Sequence, residues 1–230
     1  MKPLDYFYDT PSSGEGHFPQ KFNTFFCTLV RIIFSLLFRF KAYDLDKLKL
    51  LPEGSGFILV GNHRSYLDPV FLMPVLRPRL IRFIGKEEFL TFNPIIGRLA
   101  AWVGVYPVKR NSADTSAIKR SVRMLKRNEI VGIFPEGTRI RSKDQEVTYH
   151  EGVAMIASLA KAPVVPVRLW NTDKIQPPGS RWFHCPKVLL RFGEPLSIEE
   201  EGFASLPRDE RYTAFTTEVM RRVYEMDFPG

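Results

Sequence analysis

The segment Gly56-Phe57-Ile58-Leu59-Val60 is an uninterrupted apolar run that follows turn residues, and polar residues begin soon after it. A run of this length is typical of a strand buried on both faces of a parallel sheet. Further along, Asp68-Pro69 supplies a capping residue and a first helical residue, which predicts a helix through Val75. A strand, a polar loop and a helix in this order predict one unit of an α/β fold.

The same alternation continues to the end of the 230-residue chain. Further strands are predicted at 81–84, 105–108, 130–134, 164–169 and 188–192, and further helices over 87–102, 112–128, 152–161 and 208–226. Alternation of this kind predicts a largely parallel central sheet flanked by helices on both faces. We assign this α/β domain to residues 46–230.

Two different segments precede this domain. Residues 1–20 contain three prolines among Gly, Ser and Asp, which predicts a flexible lead and not a signal peptide. Residues 21–45 contain an apolar stretch, 22–40, in which polar residues recur every three or four positions as a narrow stripe on a helix. Arg31 at its centre disfavours a membrane span. We expect an amphipathic membrane-associating helix lying in one leaflet; a helix packed in the core is the alternative.

Charge is distributed unevenly along the chain. Lys and Arg total 33 against 25 Asp and Glu, and residues 76–143 alone hold 15 basic against 5 acidic residues, a local surplus of +10. Such a region attracts phosphate-bearing partners, namely anionic lipid, coenzyme A or an acidic carrier protein. A solvated basic surface is the alternative, and without a nucleic-acid-binding motif no nucleic acid is expected. Cys27 and Cys185 predict neither a disulfide framework nor a metal site, which favours a reducing compartment.

The loop after the first buried strand holds the candidate catalytic pair, His63 and Asp68. Imidazole exchanges a proton near neutral pH, so His63 is a candidate general base. Asp68 can accept the other ring N–H and fix the tautomer. Taken separately, His63 could be a structural histidine and Asp68 a helix N-cap.

The segment Phe134–Arg139 also follows a predicted strand, and parallel strands would bring it to the same rim of the sheet as His63. Its Gly137 allows close backbone approach to a ligand, Thr138 adds a hydroxyl, and Arg139 has a planar fork suited to phosphate. Glu136 is expected to orient Arg139 or to bind a substrate hydroxyl. A tight turn with a surface arginine is the alternative.

These segments resemble the motif blocks of the glycerophospholipid acyltransferase family, in its lysophosphatidic acid acyltransferase branch. Asn62–Asp68 matches the first block, whose His and Asp are catalytic, and Gly104–Arg110 the second, with Lys109 and Arg110 implied in acceptor binding. Phe134–Arg139 matches the third block, which implies a glycerol-phosphate site of Glu136, Gly137, Thr138 and Arg139. Val165–Val167 matches the fourth.

The resemblance implies transfer of a fatty acyl group from a thioester, acyl-coenzyme A or acyl carrier protein, to the 2-hydroxyl of lysophosphatidic acid. No cofactor and no metal are implied, and backbone N–H groups near Gly137 are candidate oxyanion donors. We expect a monomer bound peripherally or monotopically at the cytoplasmic face of the cell membrane. The alternatives are an acyltransferase for another lysophospholipid or for glycerol 3-phosphate, a non-catalytic peripheral lipid-binding protein, and a phosphohydrolase with His63 as nucleophile.

Overall fold

The computed structural model describes residues 3–12, 18–108, 115–140 and 145–228. Within these ranges the strands are β1 (Lys41–Tyr43), β2 (Phe57–Gly61), β3 (Ile81–Lys86), β4 (Tyr106–Val108), β5 (Ile130–Ile133), β6 (Val164–Trp170) and β7 (Leu189–Phe192). The helices are α1 (Leu4–Asp9), α2 (Gln20–Leu37), α3 (Asp68–Leu72), α4 (Glu87–Thr91), α5 (Pro94–Trp102), α6 (Thr115–Lys126), α7 (Gly152–Ala160), α8 (Glu201–Ala204) and α9 (Arg208–Glu225). Short 3₁₀ helices span Leu45–Leu50 and Thr172–Lys174.

The strands form a single sheet in the order β1-β7-β6-β2-β5-β3-β4. Strands β6, β2, β5, β3 and β4 are mutually parallel, whereas β7 is antiparallel to β6 and β1 is parallel to β7. The prediction of a largely parallel central sheet is therefore confirmed. Because β2 and β5 are neighbours in parallel register, with Val60 opposite Ile133, the loops that follow them leave the sheet side by side.

Side chains alternate across the sheet and divide the core into two layers. Ile58 and Val60 of β2 pack in one layer, which helices α6, α7 and α9 cover. Phe57 and Leu59 point into the other layer, which helices α2 and α3 cover. This alternation is what a strand buried on both faces requires.

The C-terminal end of helix α2 leads into a strand at the edge of the sheet. It ends at Leu37 instead of the predicted Phe40, and β1 follows it to pair with β7 at the sheet edge. Residues 41–43, which were predicted to belong to the helical segment 21–45, thus form an edge strand of the sheet. Phe34 of α2 packs on Phe71 of α3, with ring centroids 4.3 Å apart. No helix in the described part of the chain is long and apolar enough to cross a membrane.

The segment predicted to be a flexible lead instead contains helix α1 between its prolines. Phe7 and Tyr8 of α1 are buried in the first core layer. The guanidinium of Arg82, buried in β3, donates hydrogen bonds to the carbonyls of Phe7 and Thr10 and forms a 2.8 Å ion pair with Glu129. The sequence carried no sign of this helix because its anchors lie far away along the chain.

The region predicted as one mixed helix over 87–102 divides into α4 and α5. Asn93 lies in an extended conformation between them, as expected of a residue before proline. Its side-chain oxygen accepts hydrogen bonds from the N–H groups of Ile95 and Ile96 at 2.8 and 3.2 Å, which caps α5.

Candidate functional site

His63 and Asp68 are in direct contact just beyond the end of β2. His63 Nδ1 lies 2.9 Å from Asp68 Oδ2, and the same oxygen accepts hydrogen bonds of 2.7 Å from the backbone N–H groups of Arg64 and Ser65. The carboxylate is fully buried at the first position of α3. Because an ionised carboxylate only accepts, Nδ1 carries the proton and Nε2 is the ring nitrogen that can take one from a substrate.

The backbone of His63 is held on both sides by the segment that follows β5. Its N–H donates to Glu136 Oε2, and its carbonyl accepts a 2.9 Å hydrogen bond from the N–H of Ile140. Arg64 also reaches the Ile140 carbonyl, at 3.4 Å. The structure thus brings together the two segments that the sequence placed on one rim, and it joins them through the peptide of the candidate base.

Aromatic stacking restricts the His63 ring. The imidazole lies parallel to the ring of Phe134, with centroids 4.6 Å apart and an interplanar angle of 20°. Phe134 in turn stacks on Phe83 of β3 at 5.9 Å. Together with the Asp68 contact, this stack fixes both the tilt and the rotation of the imidazole.

Asn62 fixes the loop at the point where it leaves the sheet. Its side-chain amide donates to the Leu169 carbonyl at 3.0 Å, and its side-chain oxygen accepts from the Leu169 N–H at 2.8 Å. The buried side-chain amide of Asn62 therefore makes the two hydrogen bonds that a further peptide unit would make between β2 and β6. It positions the residue directly before His63, a role that the sequence did not indicate.

Glu136, one of the predicted acceptor-site residues, is buried in the structure. The side chain is only 4% exposed, and its two carboxylate oxygens accept hydrogen bonds from the His63 N–H and from the hydroxyl of Tyr224. Burial raises the pKa of Glu136, and these two hydrogen bonds act in the opposite direction. These contacts link the backbone of His63 to Tyr224 through the Glu136 carboxylate.

Gly137 adopts a left-handed conformation with φ of +62°. A Cβ at this position would lie 2.5 Å from the His150 ring, so glycine is needed for both the conformation and the available space. The Gly137 N–H donates to the Phe134 carbonyl at 3.0 Å. This turn engages the N–H of Gly137 itself, so the candidate oxyanion donors are the other backbone N–H groups near Gly137.

Arg139 reaches back across the His63–Asp68 loop. Its guanidinium carbon lies 3.3 Å from the ring centroid of Tyr66, an exposed residue of that loop, and Thr138 beside it is also exposed. Arg139 and Thr138 therefore lie at the surface beside the loop that carries the candidate base, where a phosphate could approach. Lys109 and Arg110, the other two predicted acceptor ligands, lie outside the described residues.

A cluster on the α9 side of the site was not predicted. Tyr224 of α9, besides its bond to Glu136, lies against two guanidinium groups: that of Arg168 in β6 is 4.6 Å from its ring centroid and that of Arg64 is 5.8 Å away. Burial raises the pKa of Tyr224 and lowers that of Arg168. The sequence predicted α9 as a closing helix but carried no signal that one of its side chains reaches the site.

Comparisons with known proteins agree on one family. A family model described as Acyltransferase matches residues 43–170, which include both segments of the site. The 1-acyl-sn-glycerol-3-phosphate acyltransferase of Bacillus subtilis (strain 168) is 33% identical over 203 residues, which cover 88% of this chain and 96% of that protein. The protein of the same name from Streptococcus pneumoniae R6 is 31% identical over 153 residues, 66% of this chain and 54% of that protein.

The fold is shared with a solved structure. The crystal structure of the 1-acyl-sn-glycerophosphate acyltransferase PlsC from Thermotoga maritima superimposes with a TM-score of 0.64 at 24% sequence identity. The match covers 90% of this chain and 81% of that one. At this level of identity the likeness concerns the fold.

Proposed function

Because this chain belongs to the acyltransferase family and is an O-acyltransferase, we propose that it esterifies the 2-hydroxyl of lysophosphatidic acid and produces phosphatidic acid. The observation that carries the proposal is the 2.9 Å contact between His63 and Asp68 beside the segment that bears Arg139. This arrangement puts a base next to a cation, which is what an acceptor with both a hydroxyl and a phosphate requires.

In the proposed reaction His63 acts as general base. Its Nε2 takes the proton of the acceptor hydroxyl while the oxygen attacks the thioester carbonyl carbon. The tetrahedral intermediate then collapses, the carbon–sulfur bond breaks, and the thiolate receives the proton from His63. Asp68 stabilises the imidazolium in between. No acyl-enzyme is needed, and the buried Cys27 thiol lies against the side-chain amide of Asn23, which is not a base.

The acceptor phosphate binds at Arg139 in this proposal. Its guanidinium can form two parallel hydrogen bonds with phosphate, and the exposed Thr138 hydroxyl can add a third. Lys109 and Arg110 are proposed as further acceptor ligands on the family resemblance alone. The donor is proposed to be a thioester of coenzyme A or of acyl carrier protein, without any metal or cofactor.

We place the enzyme at a lipid surface through helix α2. Cys27 and Val30 are buried on its inner side, whereas its outer side exposes Phe25, Leu29, Ile32 and Leu36, which recur at helical spacing. Phe25 and Leu36 are 65% and 75% exposed. An apolar helical face of this kind binds in the headgroup region of one leaflet. The proposed location is the cytoplasmic face of the cell membrane, as a peripheral or monotopic monomer.

Acyl transfer to a panel of acceptors tests this function. Purified protein with radiolabelled palmitoyl-coenzyme A, and separately with palmitoyl-acyl carrier protein, should label lysophosphatidate far better than lysophosphatidylcholine or glycerol 3-phosphate. Arg139→Ala should raise KM for lysophosphatidate about tenfold or more while leaving KM for the donor nearly unchanged. Arg221→Ala removes the same charge from the exposed surface of α9 and serves as the control.

Preference for another acceptor would show that the chain has a different acyltransferase activity of the same family. If the wild-type protein binds vesicles but transfers no acyl group from either donor, the non-catalytic lipid-binding alternative is correct.

A further inference from the structure

A closed surface loop lies between β6 and β7. The N–H of His184 donates a 2.8 Å hydrogen bond to the carbonyl of Ile175, which joins the two ends of the segment 176–183. Inside it, Ser180 N–H donates to the Pro177 carbonyl at 3.0 Å, and the Ser180 hydroxyl bonds to both the N–H and the carbonyl of Trp182. Residues 177–184 of this loop, 176–187, are thus braced by hydrogen bonds within the loop and to Ile175.

The loop presents two large aromatic side chains to the outside. Trp182 is 80% exposed and its neighbour Phe183 is 67% exposed. A single exposed apolar side chain is ordinary on a folded protein, but an adjacent exposed pair of aromatics on a braced loop indicates a surface that meets another apolar phase. Tryptophan in particular favours the headgroup region of a bilayer, where its ring is buried and its N–H stays hydrated.

The surroundings of the two aromatics are basic. Arg181, His184 and Lys187 are all exposed, and Lys174 precedes the loop. The segment 171–188 contains three Lys and Arg residues against one acidic residue, Asp173. Lysine and arginine around an exposed aromatic pair complement anionic headgroups, because each basic residue near an anionic bilayer adds favourable free energy.

The loop rises from the same face of the sheet as α2. Its flanking residues Ile175 and Val188 are fully buried in the core layer that α2 covers. At the end of α2, the side chain of Arg39 donates to the Cys185 carbonyl at 3.2 Å, and the Phe38 carbonyl accepts from the Val188 N–H at 2.9 Å. Trp182 is three residues from Cys185, so the two Cα atoms are within about 11 Å of each other.

We propose that the loop 176–187 is a second membrane anchor, in which Trp182 and Phe183 insert into an anionic lipid surface beside the exposed face of α2. The proposal rests on the lipid-surface location given under Proposed function. A single helix could rotate about its axis on the lipid surface. Two contact points, one at the helix and one at the loop, fix the orientation of the protein on that surface. The His63–Asp68 loop, whose Asp68 begins the helix α3 on which α2 packs, is then held at a constant distance from the lipid.

The first test places Trp182 relative to the bilayer. Trp102→Phe and Trp170→Phe together leave Trp182 as the sole tryptophan. With vesicles of phosphatidylethanolamine and phosphatidylglycerol, its emission should shift to the blue, and phospholipids brominated near the headgroup end of the chains should quench it. Unchanged emission on vesicles that bind the protein would refute the loop anchor while leaving attachment through α2 intact.

The second test separates anchoring from chemistry. Trp182→Ser with Phe183→Ser should lower the partition coefficient on these vesicles about tenfold or more. Leu159→Ser removes an exposed apolar side chain from α7 on the opposite face and should leave binding unchanged. The double variant should retain wild-type turnover of a short-chain, water-soluble lysophosphatidate but lose most turnover of vesicle-bound acceptor.

Equal binding by wild type and the double variant would overturn the anchor, as would equal losses in the Leu159→Ser variant. Failure of the proposed function is distinguishable from this, because absence of acyl transfer by wild type would leave the quenching and vesicle-binding results unaffected.

Discussion

The hydroxyl of Tyr224, in the last turn of α9, donates a hydrogen bond to Glu136, whose other carboxylate oxygen accepts the backbone N–H of His63. The candidate base is therefore held by residues from two other parts of the chain. Glu136, which the family motif places among the residues of the acceptor site, here also supports the His63–Asp68 loop through the His63 N–H. A helix that shares no motif with the site consequently contributes to its geometry.

Removing the Tyr224 hydroxyl should impair turnover more than binding. We expect Tyr224→Phe to lower kcat about tenfold with little change in KM, since a hydrogen bond to a carboxylate contributes about 1.5–3 kcal/mol. The lost hydrogen bond also lets the pKa of Glu136 rise further, so the acidic limb of the kcat profile should move to higher pH. Steady-state kinetics across pH measure both effects.

Tyr212→Phe is the matched control for this prediction. It removes a hydroxyl from the same helix, where the partner is the side chain of Arg208 at 3.3 Å. Turnover by this variant should equal that of wild type. An unchanged pH profile in Tyr224→Phe would mean that Tyr224 supports the fold without affecting Glu136.

The free energy of unfolding should depend on pH because Glu136 binds a proton more tightly in the folded state. Burial raises its folded-state pKa above the ordinary glutamate value, so the folded protein binds the proton more tightly than the unfolded chain does. The resulting stabilisation is fully present at pH values below the ordinary glutamate pKa. It is lost as pH rises through the raised pKa of the folded state. Relative to Glu136→Gln, wild type should become more stable as pH falls from neutral to about 4. Urea titrations of both proteins at several pH values measure the difference, and a constant difference would contradict the prediction.

Alanine at Gly137 should reduce activity through the turn that holds Glu136 and Arg139. Gly137 and Gly54 share a left-handed conformation, with φ of +62° and +72°, so Gly→Ala should destabilise by about 1–2 kcal/mol at either position. At Gly137 the new methyl also displaces the exposed His150 ring. Only Gly137→Ala should lower kcat, by several-fold. Equal activity of the two variants would show that the turn is not needed for turnover.

The buried ion pair between Arg82 and Glu129 should be needed for stability. Each side chain is almost fully buried, so Arg82→Ala leaves a buried carboxylate without its partner and should lower the free energy of unfolding by about 3–5 kcal/mol. It also removes the donors that hold the carbonyls of Phe7 and Thr10. Arg82→Met combined with Glu129→Leu should recover much of the loss in urea unfolding. No recovery would show that the contacts with α1 outweigh the ion pair.

The central part of the fold was accessible from the sequence because its signals are local. The short apolar runs 57–60 and 130–133 are typical of buried strands, and their parallel pairing put His63 and Arg139 on one rim. The His63–Asp68 contact followed from residue types and spacing within a single loop.

The missed features depend on long-range partners. Helix α1 is held by Arg82 and Arg120, more than 70 residues away, and its own six residues have little intrinsic tendency to form a helix. Charged residues inside apolar strands, such as Arg82, are the one local hint of such an anchor. Tyr224 lies 88 residues from Glu136 and carries no local signal of this contact.

The most direct test of His63 as the general base of acyl transfer is thiol release. Palmitoyl-coenzyme A and oleoyl-lysophosphatidate are mixed with either wild type or His63→Ala. Wild type should release thiol only when the acceptor is present, and His63→Ala should lower that rate by about a hundredfold or more while still binding lipid vesicles. Acceptor-dependent release by His63→Ala within about tenfold of wild type would contradict the assignment of His63 as the base.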